Sequence, residues 1–434
     1  MTGFILSVGY IAFCLLLISK LKFFRHESIS PKNFQLFFLV KLLAGLALFI
    51  IYTRYYPERK YADIFRYYDD SKIMFDALQN KPYDFFRMFT GFHSGDKDLR
   101  VYYDAMLNWY NSEMIFNDSR TMIRLNALMR FFSMQTYFPH VVFMCFLSFC
   151  GLTALFKVFT DEVKNKTYEI LFGVFMLPSV LLWSSGVIKE ALLLFSIGML
   201  IYYQHKMVKE WRFPLRDMII FLFFIFCLLN IKSYILFAIL PGLIAYGWTQ
   251  RYSTLPLLKF LIVHTFYFLT LFNLSSLFTH HPVPELLHNK QKEFYVVASR
   301  EKANSVIRLP KIHSVWKSLL KAAPAAFVTT LLRPHLFEAN NIMLLMAALE
   351  NGLIILLIVI AFFGTDRQQL RKAPPIFFLA LFFTIIMFTL IGLVTPILGA
   401  IVRYKVPALP FLFLLLAVIY NREKLIKRLH LNLH

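Results

Sequence analysis

Asp63, Arg66 and Asp70 stand at i, i+3 and i+7 in the stretch Tyr61-Ala-Asp63-Ile-Phe-Arg66-Tyr-Tyr-Asp69-Asp70-Ser-Lys72. Wound as a helix, that spacing brings the three to one face. Carboxylates so placed beside a membrane suit general-base work, or the binding of a divalent cation or a phosphate. The same residues would also serve as a solvated helix face held by Asp–Arg pairs. The metal question stays open, and a divalent cation is the one cofactor these acids invite.

Four further groups carry unusual polarity for their surroundings. Pro178 opens a turn that runs Trp183-Ser-Ser-Gly-Val-Ile-Lys189-Glu190 between apolar runs. A Lys–Glu pair at that depth needs partners, and intramembrane charges mark function more often than architecture; the plain alternative is Lys189 reaching to headgroups. Lys232 lies between two apolar runs, where it could hold a phosphate or anchor a hairpin. Arg333-Pro-His335-Leu-Phe-Glu338 leads into a run that contains Glu350. Arg333 suits two-pronged phosphate contact and Glu338 could orient it, while Glu350 must pair, be protonated or face a cavity. Arg403 and Lys405 enter the last apolar run in Arg403-Tyr-Lys405-Val-Pro407-Ala-Leu-Pro410, where anion binding explains them better than topology.

The elements that must position these residues are apolar helices. Hydrophobic residues make up 58% of the 434 positions and charged residues 16%, a balance that excludes an ordinary soluble domain. Apolar runs near 3–19, 34–52, 136–156, 168–183, 190–204, 217–231, 233–248, 257–276, 341–363, 375–393 and 404–420 predict about eleven transmembrane helices in one all-α integral membrane domain, 1–434. The first run lacks a basic flank and a small-residue cleavage site, so it reads as a retained helix.

Short connections carrying Lys20, Lys22, Lys164, Lys166, Lys206, Lys209, Arg251, Arg371 and the basic tail all fall on one side of that layout. The positive-inside rule makes that side cytoplasmic, with the N-terminus outside. Two long outer loops remain, 53–135 and 277–340, and the candidate residues gather on their side of the membrane. Within the first loop, Tyr103, Met106, Leu107, Tyr110 and Met114, then Met122, Leu125, Leu128 and Met129, recur at helical spacing. They predict amphipathic helices lying in the interface.

The net charge of +21 is scattered over short loops, which points to anionic lipid and not to nucleic acid. Cys14, Cys145, Cys150 and Cys227 all lie in apolar runs and form no disulfide or metal pattern. His280, His281, His288, His313 and His335 lack metal-ligand spacing. No phosphate loop or dinucleotide fingerprint appears, so nucleotide-driven chemistry has no support.

This arrangement resembles bacterial membrane glycan-assembly proteins: the lipid-sugar-dependent glycosyltransferases of the C superfamily and O-antigen-type polysaccharide polymerases. The likeness rests on the acidic stretch Asp63–Asp70 soon after the second run, on the second long loop, on the Arg403–Pro410 entry to the last helix, and on the Trp183–Glu190 turn. The acidic stretch departs from the family's pattern, because Asp63 is followed by Ile64 and the nearest doublet is Asp69-Asp70. The resemblance implies transfer from a polyprenyl-phosphate-linked sugar to a glycan or lipid acceptor, at the outer face of a bacterial inner membrane. It would make Asp63, Asp69 or Asp70 the base. It would make Arg333, Arg403, Lys405, Lys189 and Lys232 the phosphate-holding cations, with Glu190, Glu338, Glu350 and Trp183 in support. A flippase for an anionic lipid-linked substrate and a non-catalytic envelope scaffold are the rival expectations.

Overall fold

The computed structural model describes residues 2–55, 58–107, 109, 117–278, 282–300, 303–365 and 367–428. Its main helices are α1 (Thr2–Lys20), α2 (Pro31–Tyr55), α3 (Asp63–Asn80), α4 (Asp118–Ser133), α5 (Tyr137–Glu162), α6 (Lys189–Glu210), α7 (Leu215–Arg251), α8 (Pro256–Phe278), α9 (Val283–Arg300), α10 (Trp316–Leu332), α11 (Ile342–Phe363), α12 (Pro375–Val394), α13 (Leu398–Lys405) and α14 (Leu409–Ile419). Among the described residues there is no strand, and the isolated bridges are Val306–Ile397 and Thr365–Tyr420.

Eight helical segments among the described residues are long and apolar enough to cross a membrane: α1, α2, α5, α6, α7, α11, α12 and the continuous stretch Leu398–Ile419. Phe4, Leu16, Leu43, Ile219, Phe223 and Phe362 on these helices are exposed, which is tolerable in hydrocarbon and costly in water. The chain therefore has the character of a multi-pass helical membrane protein.

One expected span, 168–183, is broken, and two others meet at a break. The runs 217–231 and 233–248 form two helices that meet within α7 at Lys232, where the backbone leaves helical geometry (φ −153°, ψ 86°). The run 168–183 is divided into Thr167–Leu171, a π-helical turn Phe172–Met176 and Pro178–Trp183. Pro178 explains that division: it lacks an N–H and drives the preceding Leu177 to extended backbone (ψ 125°). The run 257–276 falls within the single helix α8, 23 residues long.

The chain parts into two compact units. One comprises Met1–Lys157, Leu181–Tyr203 and Pro214–Leu236; the other comprises Val158–Val180, Gln204–Phe213 and Phe237–His434. In the first, α5 and α6 touch backbone to backbone: a Cβ added to Gly198 would lie 2.0 Å from the Gly151 carbonyl oxygen. Small residues permit this approach where no hydrophobic force drives apolar helices together. Phe24, Phe38 and Phe149 fill the space beside them, with ring centroids 5.5–5.8 Å apart.

In the same unit, α3 and α4 pack against each other. Arg130 of α4 is 2% exposed; it donates to Ser71 Oγ at 2.8 Å and to the Tyr68 carbonyl. Arg130 explains why α4 carries polar residues on its inner side. His140 bridges Asn126 Oδ1 (2.8 Å) and Ser133 Oγ (2.9 Å) at the end of α4. Of the apolar series expected over 102–115, the helix extends only to Tyr103, and Tyr110 and Met114 lie outside the described residues.

In the second unit, the segment 277–340 contributes a helix to the interior. α10 packs on α12 so tightly that a Cβ on Gly392 would meet the Ala326 carbonyl oxygen at 2.0 Å. Thr330 Oγ1 donates to the Phe388 carbonyl at 2.7 Å across the same seam. Ile312, Leu319, Ala322, Ala326 and Leu393 form its buried cluster.

Candidate functional site

Three of the five polar groups converge within the first unit. Asn117 caps α4, its side chain accepting the Ser119 and Arg120 amides, so Asp118 and Ser119 are fixed on the first turn. Lys189, the first residue of α6, reaches Asp118 at 2.7 Å and Ser119 Oγ at 3.3 Å, and its ammonium lies 5.4 Å from the Tyr67 ring centroid on α3. Glu190 accepts from Lys232 at 3.2 Å. Thr121 Oγ1 on α4 donates to the Asn230 carbonyl at 3.2 Å. That carbonyl lies just ahead of the irregular backbone at Lys232, where an outside donor is needed.

The turn that aims Lys189 and Glu190 is tied down by buried groups. Lys41 on α2 donates to Ser184 Oγ; Ser148 donates to the Ser184 carbonyl at 2.7 Å; and Cys145 donates to the Ser185 carbonyl at 3.2 Å. Trp183 packs edge-on to Tyr52 at 6.5 Å. The turn thus has a rigid frame, and Trp183 belongs to the frame.

The acidic stretch on α3 is divided among separate duties. Asp69 is held by Arg59 through two hydrogen bonds of 2.7 and 2.9 Å. Asp70 is 2% exposed and accepts the Leu107 amide at 2.9 Å. Asp63 and Arg66 stand 3.9 Å apart, one helical turn from each other. The doublet is thus engaged by neighbouring groups, and Asp63 shares its face with Arg66.

Sequence reading overlooked Arg120 and Arg124, one turn apart on α4. Their guanidinium carbons lie 4.9 and 5.6 Å from the Trp109 ring centroid, and Trp109 stacks flat on Tyr103 at 4.5 Å. Burial, followed by repulsion from Arg120, pulls the Arg124 pKa down to about 10; burial pulls that of Arg120 down as well. Burial pushes the Tyr103 hydroxyl up to about 12. The Arg-x-x-x-Arg spacing was legible, but nothing in the sequence placed Trp109 against it.

The other two groups converge within the second unit. Lys405 donates to Asn351 Oδ1, and Asn351 Nδ2 donates to the Pro334 carbonyl at 2.9 Å. Glu350 accepts the Ser179 amide at 2.6 Å. Arg333 is held by Glu338, its Nε at 2.7 Å from the carboxylate. Burial would raise the Glu338 pKa, but Arg333 and the His335 amide outweigh it and hold it below the ordinary 4.5. Arg403 shares α13 with Lys405. Asn351, beside Glu350, joins these groups and was not singled out in the sequence. His280 and His281 lie outside the described residues. No group of three His, Cys, Asp or Glu that could hold a metal occurs among the described residues.

The first unit can therefore present cations and carboxylates to a polar ligand at the start of α6, and the second holds buried charges in a hydrogen-bonded chain. Compared with known proteins, the chain matches no family model, no curated protein and no solved structure.

Proposed function

We propose that this protein is a membrane glycosyltransferase or polysaccharide polymerase, using a polyprenyl-phosphate-linked sugar at the outer face of a bacterial inner membrane. It would cross the membrane about eleven times, counting the divided 168–183 run, both halves of α7, and α8. The observation that carries the reading is the meeting of Lys189, Glu190 and Lys232 with Asp118 and Tyr67 in one unit that also holds Asp63 and Arg66.

In this reading Lys189 and Lys232 hold the donor phosphate, and their carboxylate partners keep them oriented while the site is empty. Asp63 takes the proton of an acceptor hydroxyl; the acceptor oxygen then bonds to the anomeric carbon, and the bond from that carbon to the phosphate oxygen breaks. The departing polyprenyl phosphate carries new negative charge, which the ammonium groups stabilise more than they stabilise the intact donor. The donor brings its own activation, so no nucleotide is required. The test supplies purified protein in lipid with a panel of radiolabelled polyprenyl-phosphate and polyprenyl-diphosphate sugars and an acceptor extract. The reading requires label to move from at least one donor.

A transporter is the second reading, favoured by one specific network. In the second unit, His205 lies 2.7 Å from Asp161 and 2.5 Å from the Tyr246 hydroxyl, which donates to Glu162 at 3.0 Å. Such a buried chain can pass protons, and a membrane helix broken as at Lys232 is a recurrent feature of transport sites. Substrate flux that depends on His205, without glycosyl transfer, would select it.

A further inference from the structure

In the second unit, three helix faces leave a groove between them. Leu353, Leu357 and Ile360 line it from one face of α11, at a spacing of about one turn. Phe413, Leu416 and Ala417 line it in the same way from α14. Tyr168 and Phe172, one turn apart in the divided run, form the third side and stay exposed along the rim. The π-helical turn packs flush on α14, where a Cβ added to Gly173 would lie 2.4 Å from the Phe413 Cβ. The gap left toward α11 is a cavity of about 520 Å³. One end of it is polar and tied down. The Asn421 amide donates to the Gly364 carbonyl at 3.1 Å, joining the ends of α11 and α14. Lys166 donates to the Tyr420 carbonyl at 2.9 Å and to Glu169 at 3.3 Å. Tyr168, Glu169 and Tyr420 are the polar residues of the lining and belong to this end, and the others are apolar.

We propose that this groove binds one acyl chain of an anionic phospholipid, with the lipid phosphate beside Lys166. A slot that is apolar along its length and charged at one end matches an amphiphile. Its volume suits a single-chain occupant, since small-molecule sites run to about 300–1,000 Å³. Among the described residues, Tyr420 and Glu169 take two of the three ammonium hydrogens of Lys166, and a phosphate oxygen takes the third. Two of the walls belong to helices long and apolar enough to cross a membrane, so acyl chains are the surrounding medium. Moving a chain from bilayer to groove therefore gains little hydrophobic free energy. Selection among lipids must come from the charged end. There, within 164–169 and 420–424, Lys164, Lys166, Arg422 and Lys424 outnumber Glu169 and Glu423. A basic residue beside anionic lipid favours binding about fivefold. The claim concerns binding alone and does not rest on glycosyl transfer.

The test is native mass spectrometry of the full chain, delipidated in a neutral detergent. It is titrated with phosphatidylglycerol, with phosphatidylcholine of the same chains, and with a polyprenyl phosphate. The expected result is saturable retention of one phosphatidylglycerol, about fivefold or more tighter than phosphatidylcholine. Lys166→Gln should remove that preference. Leu357→Trp, which fills the groove, should abolish the saturable site for both phospholipids. Thermal melts in the same detergent establish that each variant is folded. If Lys166→Gln does not fold, Lys166→Arg, which should keep the preference, and Leu357→Trp carry the comparison. Equal retention of the two phospholipids by the wild type would overturn the assignment. So would tighter binding of the polyprenyl phosphate, an unchanged preference in Lys166→Gln, or unchanged retention in Leu357→Trp.

Discussion

Lys232 donates to Glu190 at 3.2 Å across 42 positions of chain, and the two side chains are 9% and 1% exposed. The contact ties the irregular backbone of α7 to the first turn of α6. Removing one member of a buried pair strands the other charge, which costs about 3–5 kcal/mol, whereas replacing both with apolar groups of like volume is near neutral. Lys232→Met should therefore lower the unfolding midpoint in lipid markedly, and Lys232→Met with Glu190→Leu should recover most of it. If the pair also serves the donor phosphate, the double variant stays folded and inactive.

The α5–α6 crossing gives a purely steric prediction. Gly198→Leu must move the Gly151 backbone, which no rotamer change can avoid. Gly9→Ala is the control, since nothing lies within 4 Å of the added atom. Gly198→Leu should depress thermal stability by several degrees in size-exclusion thermal melts, and Gly9→Ala should leave it unchanged.

Arg333 and Glu338 predict an acid sensitivity. The Glu338 pKa is held below 4.5 in the folded protein, so the unfolded chain binds this proton more readily. The stabilisation is fully present above about pH 4.5 and falls away as the pH drops through the lower folded value. Glu338→Gln should lose stability at pH 7 and show a flatter stability profile below pH 4.5 than the wild type, measured by denaturation at stepped pH.

Much of the architecture was legible because apolar length and loop charge are local properties. What escaped depends on long-range packing. The segment 277–340 reads in sequence as a long outer loop, and spacing does not reveal that small residues such as Ala326 let α10 sit on α12. The three polar groups around Lys189, Glu190 and Lys232 were each visible, and their union within one unit was not, since it requires 42- and 70-residue contacts. Asp69 and Asp70 were legible as an acidic doublet; their partners, Arg59 and the Leu107 amide, are ones that spacing does not reveal.

Lys189 offers the most direct probe of donor binding. Lys189→Ala removes the ammonium near Asp118, Ser119 and Tyr67 and should raise the apparent donor KM about 10-fold or more. Lys189→Arg should keep most of the affinity. Steady-state transfer at varied donor concentration separates this from an effect on kcat.

The central claim is tested most directly by transfer from a polyprenyl-phosphate-linked sugar, comparing wild type with Asp63→Asn and with Asp69→Asn in folded, lipid-reconstituted protein. If Asp63 is the base, Asp63→Asn should lower kcat about 100-fold or more, with donor binding intact, while Asp69→Asn loses stability and keeps most of its turnover. Wild-type turnover in Asp63→Asn, or no transfer by the wild type from any donor, would contradict the account.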